Sequence, residues 1–213
     1  MIDNVIKQYQ EAFDKYGNSE KSVFWPKGRQ KERFDALTRS IVKKKFSILD
    51  FGCGLGHMFD YLNAIYDGGF SYHGVDVVDS FIAQNKLTYP NTDFQLIQDY
   101  SEIQKSFDYV LISGVFNISY FEDLEKHKNL VYEILEGLFS KTSVYLSVNF
   151  MSDQVDFIQE GAYHQNINEL LRFVSERLSK RYVLDCSYMP YEFTITVFKD
   201  QTIKRPDNIY KNE

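Results

Sequence analysis

The sequence predicts an α/β protein with an open, mostly parallel β-sheet, helices on both faces of the sheet and a helical arm ahead of it. Apolar segments of strand length alternate with longer segments in which apolar residues recur at helical spacing. A glycine-rich turn, DFGCGLG at residues 50–56, directly follows the first strand-like segment. The last two strand-like segments, 182–188 and 191–198, are separated by so short a turn that they must be antiparallel.

Length and composition indicate one domain with a sizeable core. The chain has 213 residues, and its 16% aromatic content argues against disorder. Its net charge of −6 disfavours a broad nucleic-acid interface, because such an interface needs a basic face. The N-terminus lacks the features of a signal peptide, and no apolar run approaches the roughly 20 residues of a membrane span. We therefore expect a cytoplasmic protein with neither a nucleic-acid nor a membrane partner.

An arm of helical segments precedes the first strand. Apolar spacing predicts a helix over residues 2–16 and a second helix over residues 29–45 that buries Val42 among others. Trp25 lies between them, either as a packing residue that ties the arm to the domain or as an aromatic lid over a ligand. Arg33 is either a solvated helix charge or a partner for a ligand carboxylate, which a guanidinium fork suits.

The first strand, residues 46–51, is apolar on both faces, as expected of a central parallel strand covered by helices. Asp50 interrupts it near its carboxyl end, where open α/β sheets bind their ligands. Gly52, Gly54 and Gly56 have no side chains, so the backbone can turn tightly, approach a ligand closely and enter a helix. The segment predicts a site for a nucleotide-type ligand.

Two kinds of ligand fit such a turn. Dinucleotide enzymes carry G-x-G-x-x-G, whereas this chain has an acid ahead of three alternating glycines and His57 in place of the last glycine. An acid at that position argues against a pyrophosphate. Asp76, at the end of the second strand, is placed to accept hydrogen bonds from both hydroxyls of a ribose, which both kinds of ligand contain.

Residues 50–56 resemble the first motif of the class I S-adenosylmethionine (SAM) methyltransferases, which bind an amino acid and a nucleoside but no phosphate. The resemblance covers nearly the whole chain and implies a Rossmann-like, seven-stranded sheet of order 3-2-1-4-5-7-6. It implies a single domain that comprises an arm or lid, 1–45, and a core, 46–199. It also implies SAM as cofactor and S-adenosylhomocysteine (SAH) as product.

Further motifs are similar to those of a bacterial small-molecule branch of this family, with some members from surface-polysaccharide gene neighbourhoods: YGNS at 16–19, SGVFN at 113–117 and PYEFT at 190–194. The resemblance implies methylation of nitrogen or oxygen in a small molecule, a sugar or polysaccharide precursor being one possibility, by a monomer or weak homodimer. The sequence lacks both the Pro-Pro motif of nucleobase amino methyltransferases and the acidic cluster of catechol-type enzymes. Cys53 and Cys186 lack metal-ligand spacing, so we expect reduced thiols and no metal.

The family pattern assigns cofactor binding to residues at the carboxyl ends of the strands and in the arm: Trp25, Arg33, Asp50, Gly52, Cys53, Gly54, Gly56, Asp76, Val77, Asp99, Tyr100, Ser113, Gly114 and Phe116. Asp99 is expected to accept a hydrogen bond from the adenine amino group, with Tyr100 against the ring, or else to be an ordinary loop residue. Ser113 and Gly114 leave room beside the methionine portion.

The acceptor is expected to contact Asn117, Tyr163 and Tyr191. A hydroxyl acceptor would benefit from a general base, and His164 is the best placed of the four histidines, with Asn117 as the other candidate catalytic residue. A satisfied surface histidine is the alternative interpretation of His164. Two other functions stay open: a SAM-binding protein without transfer activity and an NAD-dependent oxidoreductase.

Overall fold

A computed structural model of the protein describes residues 2–24 and 29–202. Its strands are β1 (Phe46–Phe51), β2 (Phe70–Asp76), β3 (Asp93–Leu96), β4 (Phe107–Ile112), β5 (Thr142–Ser152), β6 (His164–Gln165), β7 (Tyr182–Asp185) and β8 (Glu192–Phe198). Its α-helices are α1 (Ile2–Tyr16), α2 (Gln30–Thr38), α3 (His57–Tyr66), α4 (Asp79–Thr88), α5 (Leu124–Ser140) and α6 (Ile167–Phe173). Strands and helices alternate through the centre of the chain, as the apolar spacing predicts.

The strands form one sheet of order β3-β2-β1-β4-β5-β8-β7. Strands β1 to β5 run parallel, and β8 is antiparallel to both β5 and β7. This arrangement confirms the predicted order, with β8 and β7 as the closing hairpin. The two-residue β6 was not predicted; it pairs with Met151 and Ser152 at the end of β5. Its pairing fastens the far end of the connection 153–163 to the sheet.

The core lies in two layers, one on each face of the sheet. Ile48 and Leu49 are adjacent residues of β1 with no exposed surface, and each belongs to a different apolar cluster. Helices α5 and α6 cover the layer of Leu49, whereas α2, α3 and α4 cover the layer of Ile48. Burial on both faces explains why β1 is apolar apart from Ser47 and Asp50.

The amino-terminal helix has the predicted bounds, but the second helix is shorter than predicted. Helix α2 ends at Thr38, whose hydroxyl donates a 2.7 Å hydrogen bond to the Phe34 carbonyl. The chain then turns toward β1, and Val42 is 82% exposed, so its predicted burial is wrong. Beyond the end of α2, Lys43 forms a 2.6 Å ion pair with Asp108 of β4.

Helix α1 packs across the end of the sheet near the glycine turn. Tyr9 and Phe13 make edge-on ring contacts with Phe81 of α4, at centroid distances of 5.9 and 5.7 Å. Leu55 of the turn and Val78, which follows β2, are buried in the same cluster. None of the helices described here is both long enough and apolar enough to cross a lipid bilayer.

Candidate functional site

The loop between β1 and α3 is a cradle that only glycines can form. Gly52, Gly54 and Gly56 have φ values of 76°, 52° and 78°, in the left-handed region that side chains disfavour. A β-carbon on Gly52 would lie 2.3 Å from Cγ2 of Val115, and one on Gly56 would lie 2.8 Å from the Tyr89 ring. The loop therefore presents bare backbone at the carboxyl end of β1, which leaves space for a ligand.

Asp76 ends β2 beside this cradle and is buried. Its Oδ2 accepts a 2.8 Å hydrogen bond from the Gly54 N–H, and its Oδ1 accepts one of 2.9 Å from the Val78 N–H. Burial raises the pKa of Asp76, whereas backbone N–H groups, those of Val78 and Gly54 among them, oppose the rise. Each carboxylate oxygen has a further lone pair. Asp76 can therefore brace the glycine loop and still accept hydrogen bonds from a ribose.

Asp50 lies one strand away and is only 2% exposed. It accepts a hydrogen bond from the Tyr72 hydroxyl. Burial raises the pKa of Asp50 to about 7; the hydrogen bond from Tyr72 opposes this shift, and the charge of Asp76 adds to it. The site therefore holds a carboxyl group that changes charge near neutral pH.

We expect the stability of the empty protein to fall as the pH rises from about 4 to about 7, and Asp50→Asn to reduce that fall. The folded state prefers neutral Asp50, so this group stabilises fully below its unfolded pKa of roughly 3.9 and the contribution disappears as the pH passes about 7. Thermal melts across this range measure the effect. The exposed Asp79→Asn variant is the control, and equal pH dependence in Asp50→Asn and wild type would contradict the assignment.

These groups border one cavity with a volume of about 2020 Å³. It brings together most of the residues that the sequence assigns to the site: Arg33, Asp50, Gly52, Cys53, Gly54, Asp76, Val77, Asp99, Tyr100, Ser113, Gly114, Phe116, Asn117, His164 and Tyr191. Residues of α1, including Tyr9, line it as well. The cavity thus runs from the arm and the glycine cradle to the connection after β5.

Three predicted site residues are not placed in this cavity. Gly56 packs against the Tyr89 ring, where a side chain would not fit, so its role is to allow the tight turn. Tyr163 is buried, with its ring 4.4 Å from that of His127 and its hydroxyl bonded to Gln165, and its contact with an acceptor stays a prediction. Trp25 lies outside the described residues, and its role as a lid stays a prediction.

Phe116, Asp99 and Tyr100 border the cavity but are engaged elsewhere. The Phe116 ring is fully buried and stacks on Phe150, and its contact with a cofactor stays a prediction. Asp99 caps a short 3₁₀ helix by accepting a 2.8 Å hydrogen bond from the Ser101 N–H. The Tyr100 ring packs on Gly137 of α5. Contacts of Asp99 and Tyr100 with an adenine stay predictions.

Both candidate catalytic residues hold the loops around the cavity. In His164, Nδ1 donates a 2.7 Å hydrogen bond to the Ser152 carbonyl, and Nε2 accepts one of 3.3 Å from the Gln159 N–H. Because both ring nitrogens already have hydrogen-bond partners, the geometry favours a satisfied histidine over a general base. Asn117 Oδ1 accepts from the Met151 N–H at 3.2 Å.

Arg33 is not the solvated charge that one interpretation expects. It is 6% exposed and forms a two-pronged ion pair with Glu192, which is 5% exposed. Sequence reasoning missed Glu192 as a site residue. Its signal was present in the PYEFT motif, where an acid stands at the start of an apolar strand. No residue of α1 is among the sequence-predicted site residues, although Tyr9 lines the cavity.

Relatives with detectable sequence similarity carry methyltransferase names. A family model described as a methyltransferase domain matches residues 48–137. The Mycobacterium tuberculosis protein Rv1506c, provisionally named a methyltransferase, is 30% identical over 162 residues, which is 72% of this chain and 93% of that protein. Protein 235L of Invertebrate iridescent virus 6, with a similar provisional name, is 36% identical over 66 residues, 30% of this chain and 24% of that protein.

Solved methyltransferase structures share the fold. The plantazolicin methyltransferase BpumL, in complex with a triazolic desmethylPZN analog and SAH, has a TM-score of 0.67 at 16% identity, covering 92% of this chain and 95% of that chain. A SAM-dependent methyltransferase from Aquifex aeolicus has a TM-score of 0.59 at 13% identity, covering 87% and 100%. At such low identity these likenesses show the architecture alone.

The sheet order, the glycine cradle and the relatives together define a SAM-dependent methyltransferase. The chain belongs to the class I family of these enzymes, and SAM is its cofactor. The residues fit that molecule, because a bare backbone cradle of Gly52 and Gly54 adjoins Asp76, whose carboxylate can accept from a ribose. This assignment overturns the NAD-dependent alternative.

Proposed function

We propose that the protein transfers the methyl group of SAM to a nitrogen or oxygen atom of a small molecule. The size of the cavity supports this most directly. Pockets for one drug-sized ligand measure about 300 to 1,000 Å³, whereas this cavity measures about 2020 Å³. It reaches from the glycine cradle to the connection after β5, so it offers room for a cofactor and an acceptor together.

In this proposal the cofactor and the acceptor occupy adjoining parts of the cavity. The Gly52 and Gly54 backbone would lie against the cofactor, Asp76 would accept from its ribose hydroxyls, and Val77 would flank its adenine. Arg33 would pair with its methionine carboxylate, next to the small residue Ser113. Bound SAM supplies a methyl group activated by the positive charge of its sulfonium.

The acceptor would enter next to the methionine portion of the cofactor, beside Tyr191 and the connection 153–163. The guanidinium of Arg29 lies 5.3 Å from the centre of the Tyr191 ring. This cation–π contact holds the Tyr191 side chain at the cavity wall. A sugar or another polysaccharide precursor is one acceptor that this wall could serve. We propose a monomer or weak homodimer as the working form.

Positioning would supply most of the catalysis. Holding two reactants in line can itself contribute on the order of 7 to 11 kcal/mol. The acceptor atom would attack the methyl group from the side opposite the sulfur, with Asn117 and Met151 keeping the adjacent loops in place through their 3.2 Å hydrogen bond. Because His164 is already engaged, a nitrogen acceptor that is neutral when it attacks suits the site better than a hydroxyl that needs a base.

Calorimetry is expected to show binding of SAM and SAH and no binding of NAD. The physical reason is that the three-glycine cradle with Asp50 ahead of it has no place for a pyrophosphate. Tight NAD binding with no response to SAH would contradict the proposal. Transfer of a labelled methyl group to members of a small-molecule library then tests activity, and SAH binding without transfer would support a SAM-binding protein that lacks catalysis.

A further inference from the structure

We propose that Glu192 is a positioning residue for the cofactor: it holds the Arg33 guanidinium in the orientation that receives the methionine carboxylate. This inference rests on the proposed function, in which Arg33 pairs with that carboxylate. Glu192 would act through Arg33 and need not touch the cofactor itself.

The contact between the two side chains is specific. Nε of Arg33 donates to Oε2 of Glu192, and Nη2 donates to Oε1, so the two planar groups meet along two parallel hydrogen bonds. Both side chains are more than nine-tenths buried, and both border the cavity. Such a pair fixes the plane of the guanidinium as well as its position.

The strand register places this pair on the face of the sheet that carries Asp50. Asp50 lies beside Leu111 of β4, Leu111 beside Ser147 of β5, and Ser147 beside Thr196 of β8. Side chains two or four residues apart on a strand share a face, so Glu192 lies on the same face as Asp50. Both residues are at the sheet edge where the parallel strands end.

The chemistry of arginine explains how one guanidinium can serve two carboxylates. Glu192 contacts the side of the group that carries Nε and Nη2. The end of the group, formed by Nη1 and the second hydrogen of Nη2, has the same fork geometry and suits a second planar carboxylate. The carboxylate of a bound methionine portion is the anion that the proposed function brings to this wall of the cavity.

A buried ion pair often adds little to the stability of a protein. The cost of removing both charges from water often equals or exceeds their attraction, and well-packed apolar residues can replace such a pair without loss of stability. The position of the Arg33–Glu192 pair at the cavity wall, on the Asp50 face, indicates a role in holding a ligand. A pre-set guanidinium loses less rotamer freedom when the ligand binds.

The test compares two ligands that differ only in the part that Arg33 would bind. SAH contains the amino-acid portion, whereas 5′-methylthioadenosine has the same nucleoside and a thioether but neither carboxylate nor amine. We expect Glu192→Gln to weaken SAH binding by roughly tenfold, the scale of one charge-assisted hydrogen bond, and to change methylthioadenosine binding less than about twofold. Calorimetry on the full chain measures both constants.

The matched control is Glu136→Gln, since Glu136 forms a comparable two-pronged pair with Arg177 on the surface. We expect Glu136→Gln to leave both ligands unaffected. Because Glu192→Gln leaves a buried cation and is prone to unfold, the Arg33→Gln/Glu192→Gln double variant removes both charges. It should show the same SAH to methylthioadenosine ratio as Arg33→Gln alone, as expected of a residue that acts through Arg33.

Equal weakening of both ligands in Glu192→Gln, or a further change of the ratio in the double variant, would overturn the positioning role. In either case the wild-type protein still binds SAH and the proposed function stands. Failure of the wild-type protein to bind either ligand would overturn the proposed function and this inference together.

Discussion

Gly52→Ala is expected to abolish SAH binding and to lower the free energy of unfolding by roughly 2 to 5 kcal/mol. Two costs add at this position. A non-glycine residue at φ 76° is strained, and the new β-carbon would lie 2.3 Å from Cγ2 of Val115, whose branched side chain is stiff. Denaturant unfolding and calorimetry with SAH measure the two losses.

Two further variants separate the strain from the clash. Gly68 has nearly the same φ, 74°, but an added β-carbon meets nothing within 4 Å, so Gly68→Ala should show the strain alone, roughly 1 to 2 kcal/mol, with SAH binding intact. In the Gly52→Ala/Val115→Ala double variant the clash is removed, and part of the lost stability should return. If Gly52→Ala loses no more stability than Gly68→Ala, the Val115 side chain moves aside without cost and the clash contributes nothing.

Asp76→Ala is expected to weaken SAH binding by tenfold or more. Charge-assisted hydrogen bonds contribute roughly 1.5 to 3 kcal/mol each, and the variant loses both the proposed ribose contacts and the observed support of the Gly54 N–H. The exposed Asp79→Ala in the adjacent helix is the control, with affinity expected to match wild type. An unchanged dissociation constant in a folded Asp76→Ala protein would remove this residue from the site.

The parts of the fold that follow from local pattern could be predicted. The bounds of α1 follow from its apolar stripe, and β1 follows from a short run that is apolar on both faces. The three glycines identify the turn because their positive φ values are a local backbone requirement. Asp76 could be assigned because it ends the next parallel strand, at the same edge of the sheet.

The features that sequence reasoning missed depend on contacts between distant segments. Arg33 and Glu192 are 159 positions apart, and nothing near Arg33 in the sequence indicates its partner. Nothing in the sequence indicates that the His164 ring is hydrogen-bonded; the register of β6 places it against the Ser152 carbonyl. Short strands such as β6 have too few residues to show a periodicity.

The connection between β5 and β6 is anchored at both ends. The Asp153 N–H bonds to the Gln165 carbonyl at 3.3 Å, and the Tyr163 N–H bonds to the Asn117 carbonyl at 2.8 Å. Between these anchors the chain borders the cavity and exposes Phe157 and Ile158 to solvent.

Insertions and deletions between the two anchors would leave the strand register and the glycine cradle untouched, and doubling the length of such a loop costs only about 0.6 kcal/mol. Under the proposed function, changes in the length and sequence of this segment during evolution can therefore change the acceptor while the SAM site stays the same.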